Sequence, residues 1–153
     1  MQHRRHWVMV WLVVGSLRWV LASGETDSSK LADFHCVKAS PAATELAHWL
    51  VQTHDPQGRP FVVVDKLQAH VFVFNPDGQL LGDAPALVGL MPGDEGVPGL
   101  GDRPLSAIRP HERITPAGRF VADLSRNVLG QDILWVDYDQ GISMHAVRVT
   151  NSH

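Results

Sequence analysis

The chain has 153 residues, of which 44% are hydrophobic and 19% charged, with a formal net charge of -3 at pH 7. This length favours one domain with a sizeable core, and the acidic balance argues against a nucleic-acid binder, whose phosphate contacts need clustered Lys and Arg. The single cysteine, Cys36, excludes an internal disulfide and a Cys-x-x-Cys zinc or redox site.

The first 22 residues have the pattern of a secretory signal peptide. Arg4 and Arg5 precede an apolar run over residues 7–17, and Val20-Leu21-Ala22 places small or aliphatic residues where signal peptidase reads them. The run is shorter than the ~20 residues that span a bilayer, so a removed signal is favoured over a retained anchor. We therefore expect an exported protein of the periplasm or cell envelope, which meets the membrane only through residues 1–22 if they are uncleaved.

Residues 23–59 are predicted to form a leader that contains one helix. Ser40 is a good N-cap, Pro41 suits the first helical position, and apolar residues then recur at three- and four-residue spacing to about His54. The spacing predicts a helix over about 41–54 with one face on the core. Cys36 precedes this helix and is interpreted as a free thiol on a mobile segment.

The remaining chain alternates β-branched runs with turn residues, which is typical of antiparallel strands. Predicted turns fall at Asn75–Gly78, Thr115–Gly118 and Asp139–Gly141, where Pro or Gly occupies positions that turns favour. The predicted strands are Phe61–Val64, His70–Phe74, Gln79 onward toward Leu90, Arg119–Leu124, Ile133–Tyr138 and Ile142–Val149. The fold class is therefore mostly β with one N-terminal helix.

A long connection over residues 91–114 holds four Gly and four Pro in 24 residues and has no apolar period. Connections of this length in a small domain are usually functional or disordered loops. Asp94 and Glu95 lie among its glycines, and no Gly-Lys-Ser/Thr sequence follows, so a phosphate-binding loop is disfavoured.

Five segments, in this order, resemble the L,D-transpeptidase catalytic domain (YkuD-type) of bacterial cell-wall enzymes. The Thr-Pro-x-Gly-x-Phe element is the most specific of them. The segments are Phe61–Asp65, His70–Phe74, Leu87–Gly89, Thr115–Phe120 and Ile142–Ala146. The resemblance covers about residues 60–149 and implies a β-sandwich-like domain that cross-links peptidoglycan, or attaches proteins to it, through a cysteine acyl-enzyme.

The resemblance also implies the site residues. Thr115, Pro116 and Gly118 are the family signature, and His145 is the catalytic base, because a neighbouring imidazole activates a thiol nucleophile. Period-two alternation places His145 toward a cleft and Met144 toward the interior. Ala146 departs from the Gly usual after this His.

The nucleophile of the family lies in a Ser/Thr-His/Tyr-Gly-Cys motif that follows this His, and residues 146–153 contain no Cys. We expect residues 60–153 to be a partial catalytic domain that is truncated before the motif and is inactive. Cys36 lies outside the matched region and is not expected to replace the missing thiol.

Three functions stay open on this basis. The favoured one is an L,D-transpeptidase-family chain that has lost its C-terminal segment. The second is a non-catalytic remnant that binds peptidoglycan stem peptides through the cleft and the 91–114 loop. The third is an unrelated exported β-domain that binds a protein or ligand. No metal or organic cofactor is implied, because thiol acyl transfer needs neither.

Overall fold

The computed structural model describes residues 7–13, 30–127 and 129–147, which form one α-helix and one sheet of seven strands. The elements are β1 Trp7–Val13, α1 Pro41–Thr53, β2 Phe61–Asp65, β3 His70–Phe74, β4 Leu80–Pro85, β5 Gly118–Arg126, β6 Asp132–Asp137 and β7 Ile142–Met144. The strand order across the sheet is β4-β3-β2-β1-β5-β6-β7. The prediction of a mostly β fold with one helix is confirmed.

The central strand is β1, which lies inside the segment predicted to be a signal peptide. It pairs in parallel with β2 over five residues and antiparallel with β5 over six. It thereby joins a first unit, strands β2 to β4, to a second unit, strands β5 to β7. A strand buried on both faces needs no polar residues, so its composition matches that of a signal-peptide core. Cleavage after Ala22 stays a prediction.

The helix α1 forms as its sequence predicts. The Ser40 hydroxyl accepts a hydrogen bond from the Ala43 N–H at 3.2 Å, and Pro41 occupies the first turn. His54 ends the helix in a left-handed conformation. One face is buried, through Ala43, Leu46, Ala47, Leu50 and Val51. This face packs on the sheet and closes the larger core.

The sheet buries apolar residues on both faces because successive side chains of a strand point to opposite sides. All five residues of β2 are buried, which places this strand between two cores. The core on the α1 side contains Met9, Trp11, Leu46, Leu50, Phe61, Val63, Phe72 and Phe74. The core on the opposite side contains Val10, Leu12, Val62, Val64, Ala122 and Val136.

The segment over residues 30–39 packs against the α1 side of the sheet, and the expectation of a mobile leader is wrong there. The Phe34 ring meets the rings of Phe72 and Phe74 edge-on, with centroids 5.4 and 5.1 Å away. Asp33 bonds through its N–H to the Gly78 carbonyl at 2.8 Å and through its carbonyl to the Leu80 N–H at 2.9 Å. These bonds form a single parallel bridge between Asp33 and the residue that precedes β4.

Two predicted strands are shorter in the structure than the sequence indicates. The strand from Gln79 ends at Pro85 instead of continuing toward Leu90, because Pro85 already pairs with His70, the first residue of β3. The last strand was predicted to reach Val149, but β7 ends at Met144 and residues 145–147 are not in a strand. Residues 148–149 lie outside the described part of the chain.

The Thr115–Gly118 segment is also different from its prediction. The expected turn is absent from residues 115–117, and Gly118 is already the first residue of β5. Ala117 donates its N–H to the Asp94 carbonyl at 2.9 Å, so this segment bonds to the long loop and not to itself. The predicted turns at Asn75–Gly78 and Asp139–Gly141 do form, each closed by a backbone hydrogen bond of 3.0 Å.

Candidate functional site

A cleft of about 630 Å³ opens on the face of the sheet opposite α1. Val10 and Leu12 of β1 and Val64 of β2 are shared between its lining and the core on that side. Residues of the two outermost strands, β4 and β7, line the same cleft. In a flat sheet these strands would lie ~29 Å apart, at ~4.8 Å for each of the intervening steps. The sheet is therefore curled around the cleft.

The mouth of the cleft is also rich in apolar side chains. Leu87 and Val147 line it and are 84% and 64% exposed. Thr115, Ser143 and His145 are the polar lining residues, and none of the described lining residues is Asp, Glu, Lys or Arg. A cleft with mostly apolar walls and a few polar groups is the usual form of a small-ligand site.

The cleft brings together two of the residues that the sequence singled out. Thr115 precedes β5 and His145 follows β7, yet both line it. Pro116 is buried, and Gly118 begins β5 with a φ of +154°; neither of them lines the cleft. A side chain at position 118 would meet the Phe120 ring at 3.2 Å, so glycine serves the backbone there.

His145 is exposed, and its ring is fixed by a local contact. Nδ1 lies 2.9 Å from the carbonyl oxygen of Ala146. A carbonyl oxygen only accepts, so Nδ1 carries the hydrogen of this bond and the neutral ring keeps its lone pair on Nε2. His145 can therefore accept a hydrogen bond or a proton from a bound group at Nε2.

The residues around His145 follow the predicted alternation only in part. Ile142 and Met144 pack against the core on the cleft side, as predicted for Met144. They also line the cleft together with Ser143 and His145. The strict separation into two faces does not apply because the strand ends at Met144 and the chain continues along the cleft without strand geometry.

Thr115 holds one wall of the cleft in place. Its hydroxyl oxygen accepts a hydrogen bond of 2.7 Å from the Gly89 N–H. A Cβ at position 89 would lie 2.4 Å from the Arg113 carbonyl oxygen and 2.6 Å from the Thr115 nitrogen. Only glycine allows the backbones to approach so closely, and the approach sets Val88, a lining residue, beside Thr115. Thr115 is thus a positioning residue for this wall.

The 91–114 loop is attached at two points to turns that follow strands of the sheet. Lys66 donates from Nζ to the Gly93 carbonyl and to the Asp94 carboxylate, each at 2.7 Å. Further along, the Gly101 N–H donates to the Asp139 carbonyl at 3.0 Å, in the turn between β6 and β7. The loop therefore bonds to the turn after β2 in the first unit and to the turn between β6 and β7 in the second.

Two short 3-10 turns, Leu105–Ala107 and Pro110–Glu112, give the loop its own structure. The Arg103 guanidinium binds both carboxylate oxygens of Glu112, at 2.8 and 3.1 Å. The Arg109 N–H also donates to this carboxylate, at 2.8 Å. These bonds, that from Arg103 first, lower the pKa of Glu112 from about 4.5 to about 2. The loop is ordered by this group, in place of the disorder that its composition left open.

Cys36 lies away from the cleft. It is exposed and belongs to the segment whose Phe34 and Val37 pack on the α1 side. His145 lies with residues of the opposite face. The sheet therefore separates the only thiol of these 153 residues from the imidazole.

Among residues 7–13, 30–127 and 129–147, no group of three or more His, Cys, Asp or Glu side chains is arranged to hold a metal ion. In the same part of the chain, no helix has the length and apolar character needed to cross a membrane. Comparisons of the chain with protein-family models, with curated proteins and with solved structures found no match.

Sequence reasoning missed two parts of this site. Val10 and Leu12 were assigned to a signal peptide. They form the floor of the cleft only because β1 pairs with β2 and β5 in the middle of the sheet. Gly89 entered the sequence analysis only as the last residue of the Leu87–Gly89 segment, whereas it is the point of contact between two backbones. A short apolar run bounded by charged and polar residues is a signal for a buried strand, and it could have suggested the first of these.

Proposed function

We propose that this chain is a non-catalytic relative of L,D-transpeptidases, exported to the periplasm or cell envelope, whose cleft binds stem peptides of peptidoglycan. The observation that carries the proposal is the convergence of Thr115, Ser143 and His145 on one cleft. They come from the two segments, 115–120 and 142–146, on which the resemblance most depends. The curled sheet would form one layer of the sandwich that the family has.

The cleft suits a short extended peptide with small aliphatic side chains. Val64, Val71 and Ala84 offer methyl groups along its walls. Ser143 and the Nε2 atom of His145 offer hydrogen-bonding groups to peptide amides. Binding through apolar walls with a few polar groups at fixed places is the general pattern of such sites.

Acyl transfer would need a thiolate within hydrogen-bonding reach of the base. The one cysteine of these residues, Cys36, packs with the α1 side, whereas His145 lies at the cleft. The proposal is therefore binding without transfer. A transfer assay on residues 1–153 with a stem-peptide donor is expected to give no product, and a product that disappears in Cys36→Ala would contradict it.

Titration of the isotopically labelled protein with soluble muropeptides tests the binding. We expect amide shifts at Ser143, His145 and Val88, and about tenfold weaker binding for His145→Ala, which removes one hydrogen bond to the ligand. His35→Ala is the matched control, because His35 is exposed on the α1 side. Binding that saturates without amide shifts at the cleft residues would contradict the proposal. An equal loss of muropeptide affinity in His145→Ala and His35→Ala would also contradict it.

A further inference from the structure

Strand β1 contributes to every layer of the molecule. Met9 and Trp11, 1% and 6% exposed, belong to the core under α1. Val10 and Leu12, 0% and 6% exposed, belong to the opposite core and line the cleft. A segment with four consecutive buried side chains on two faces is a central strand by its packing as well as by its pairing.

The contacts of Trp11 extend this packing beyond the sheet. Its ring meets that of Trp49 in α1 edge-on, with centroids 5.7 Å apart, and the Arg119 guanidinium of β5 lies 5.6 Å from the ring centroid. Arg119 also bonds to Asp55, just beyond α1, at 3.0 Å. One residue of β1 is thus in contact with the helix and with the second unit.

The two units pair with each other only through β1. In the described sheet β2 has β3 and β1 as neighbours, and β5 has β6 and β1. Without β1 both β2 and β5 would become edge strands with unpaired backbone groups. Val62, Val64 and Ala122, which are 3%, 6% and 0% exposed, would lose the strand between them.

We infer that the N-terminal segment stays with the folded protein as its central strand, and that the cleft beside His145 exists only in chains that keep residues 7–13. Removal of residues 1–22 would take away the floor of the cleft and the junction of its two walls. Loss of residues 1–22 and an intact cleft therefore exclude each other in one molecule. The inference concerns the assembly of the site and holds for any ligand.

A nicked protein tests the inference directly. A sequence-specific protease site is inserted between Ala22 and Ser23 of the full chain, which is folded, cleaved and passed over a size-exclusion column. Amide hydrogen exchange is then measured at residues 61–65 and 118–123, which are the partners of β1.

Two results would support the inference. Either the 1–22 fragment elutes with the remainder, and exchange at both partner strands stays within about twofold of the uncut protein, or the fragment separates and this protection is lost by at least about tenfold. Separation of the fragment with protection retained in both strands would overturn it.

A pair of substitutions on the uncut chain separates loss of β1 from general damage. Val10→Asp puts a charge at a fully buried position, whereas Val121→Asp makes the same change on the neighbouring strand at a position that is 41% exposed. Val121 pairs with Met9, one residue away from Val10. We expect Val10→Asp to abolish exchange protection in both units and Val121→Asp to leave it within about twofold. Equal protection in the two variants would overturn the inference.

The mass of the protein recovered from an exporting host gives a third readout. With a tag at the C-terminus, the folded fraction is expected to have the mass of the chain that retains residues 1–22. A folded fraction that begins at Ser23, with β2 and β5 protected from exchange, would overturn the inference whether or not the protein binds muropeptides.

Discussion

The strands on the two sides of β1 differ in how completely they are covered, since all of β2 is buried and most of β5 is not. In the first unit, α1 and residues 30–39 cover one face, and Phe61, Phe72 and Phe74 are at most 1% exposed. In the second unit, Val121 and Leu124 of β5 are 41% and 50% exposed. The described helix packs on the first unit and on β1, so the second unit depends on β1 and on its cleft-side core.

This difference assigns separate roles to the two units. A strand packed on both faces, as β2 is, opens only at a high free-energy cost, whereas a partly covered strand such as β5 can deform at a lower one. His145 and Ser143 belong to the less covered unit, where a ligand can reach them. The first unit lines the cleft with apolar side chains such as Val64, Val71 and Ala84, and the second adds the polar groups of Ser143 and His145.

The largest expected effect comes from truncating the core of the first unit. Phe61→Ala removes a ring that is 0% exposed and stacks on Phe74 with centroids 4.8 Å apart. We expect it to lower the free energy of unfolding by about 3–5 kcal/mol. Phe120→Ala in the second unit, where the ring is only partly buried, should cost clearly less. Denaturant unfolding measures the free energy of unfolding of both variants. Equal losses in Phe61→Ala and Phe120→Ala would contradict the difference in burial between the two units.

A smaller effect is expected at the contact between the backbones that carry Val88 and Thr115. Gly89→Ala places a Cβ 2.4 Å from the Arg113 carbonyl oxygen, and we expect a loss of about 1–3 kcal/mol in the free energy of unfolding. Gly82→Ala is the control, because its added Cβ meets nothing within 4 Å. Equal thermal stability of Gly89→Ala and Gly82→Ala would show that glycine is not required at position 89.

The cap of α1 tests the first unit through its helix. Ser40→Ala removes the acceptor of the Ala43 N–H, and we expect it to lower the free energy of unfolding by about 1 kcal/mol. Ser125→Ala, at an exposed position of β5, should change stability by less than about 0.5 kcal/mol. A cost at Ser125 as large as at Ser40 would show that the second unit is the more tightly constrained one.

The smallest effect concerns the acid range. The folded-state pKa of Glu112, about 2, is below its usual value near 4.5, so its contribution to stability is complete above pH 4.5 and is lost as the pH falls toward 2. The difference in stability between the wild type and Glu112→Gln should shrink over that range. Asp77→Asn is the matched case in the first unit, where the bond from Lys30 lowers the pKa of Asp77, so its stability difference should also shrink as the pH falls. A difference that does not vary with pH would contradict the role of Glu112.

Local patterns were reliable where short-range chemistry decides the conformation. Ser40 and Pro41 predicted the start of α1, and the β-branched run beginning at Phe61 predicted β2. Strand ends were less predictable because a strand stops where its partner does, as Pro85 does opposite His70. The Thr115–Gly118 turn failed because Ala117 bonds to a residue of the distant loop.

The sequence by itself determined the strand-rich composition, the single helix with its cap and two of the three predicted turns, and it named Thr115 and His145 as candidate site residues. All of these depend on neighbours within a few positions, or on a motif. Only the tertiary structure decided that residues 7–13 form the middle of the sheet, that the sheet curls, and that Cys36 and His145 are on opposite sides. An apolar run has the same composition as a signal or as a buried strand, and only the strands packed beside it distinguish the two.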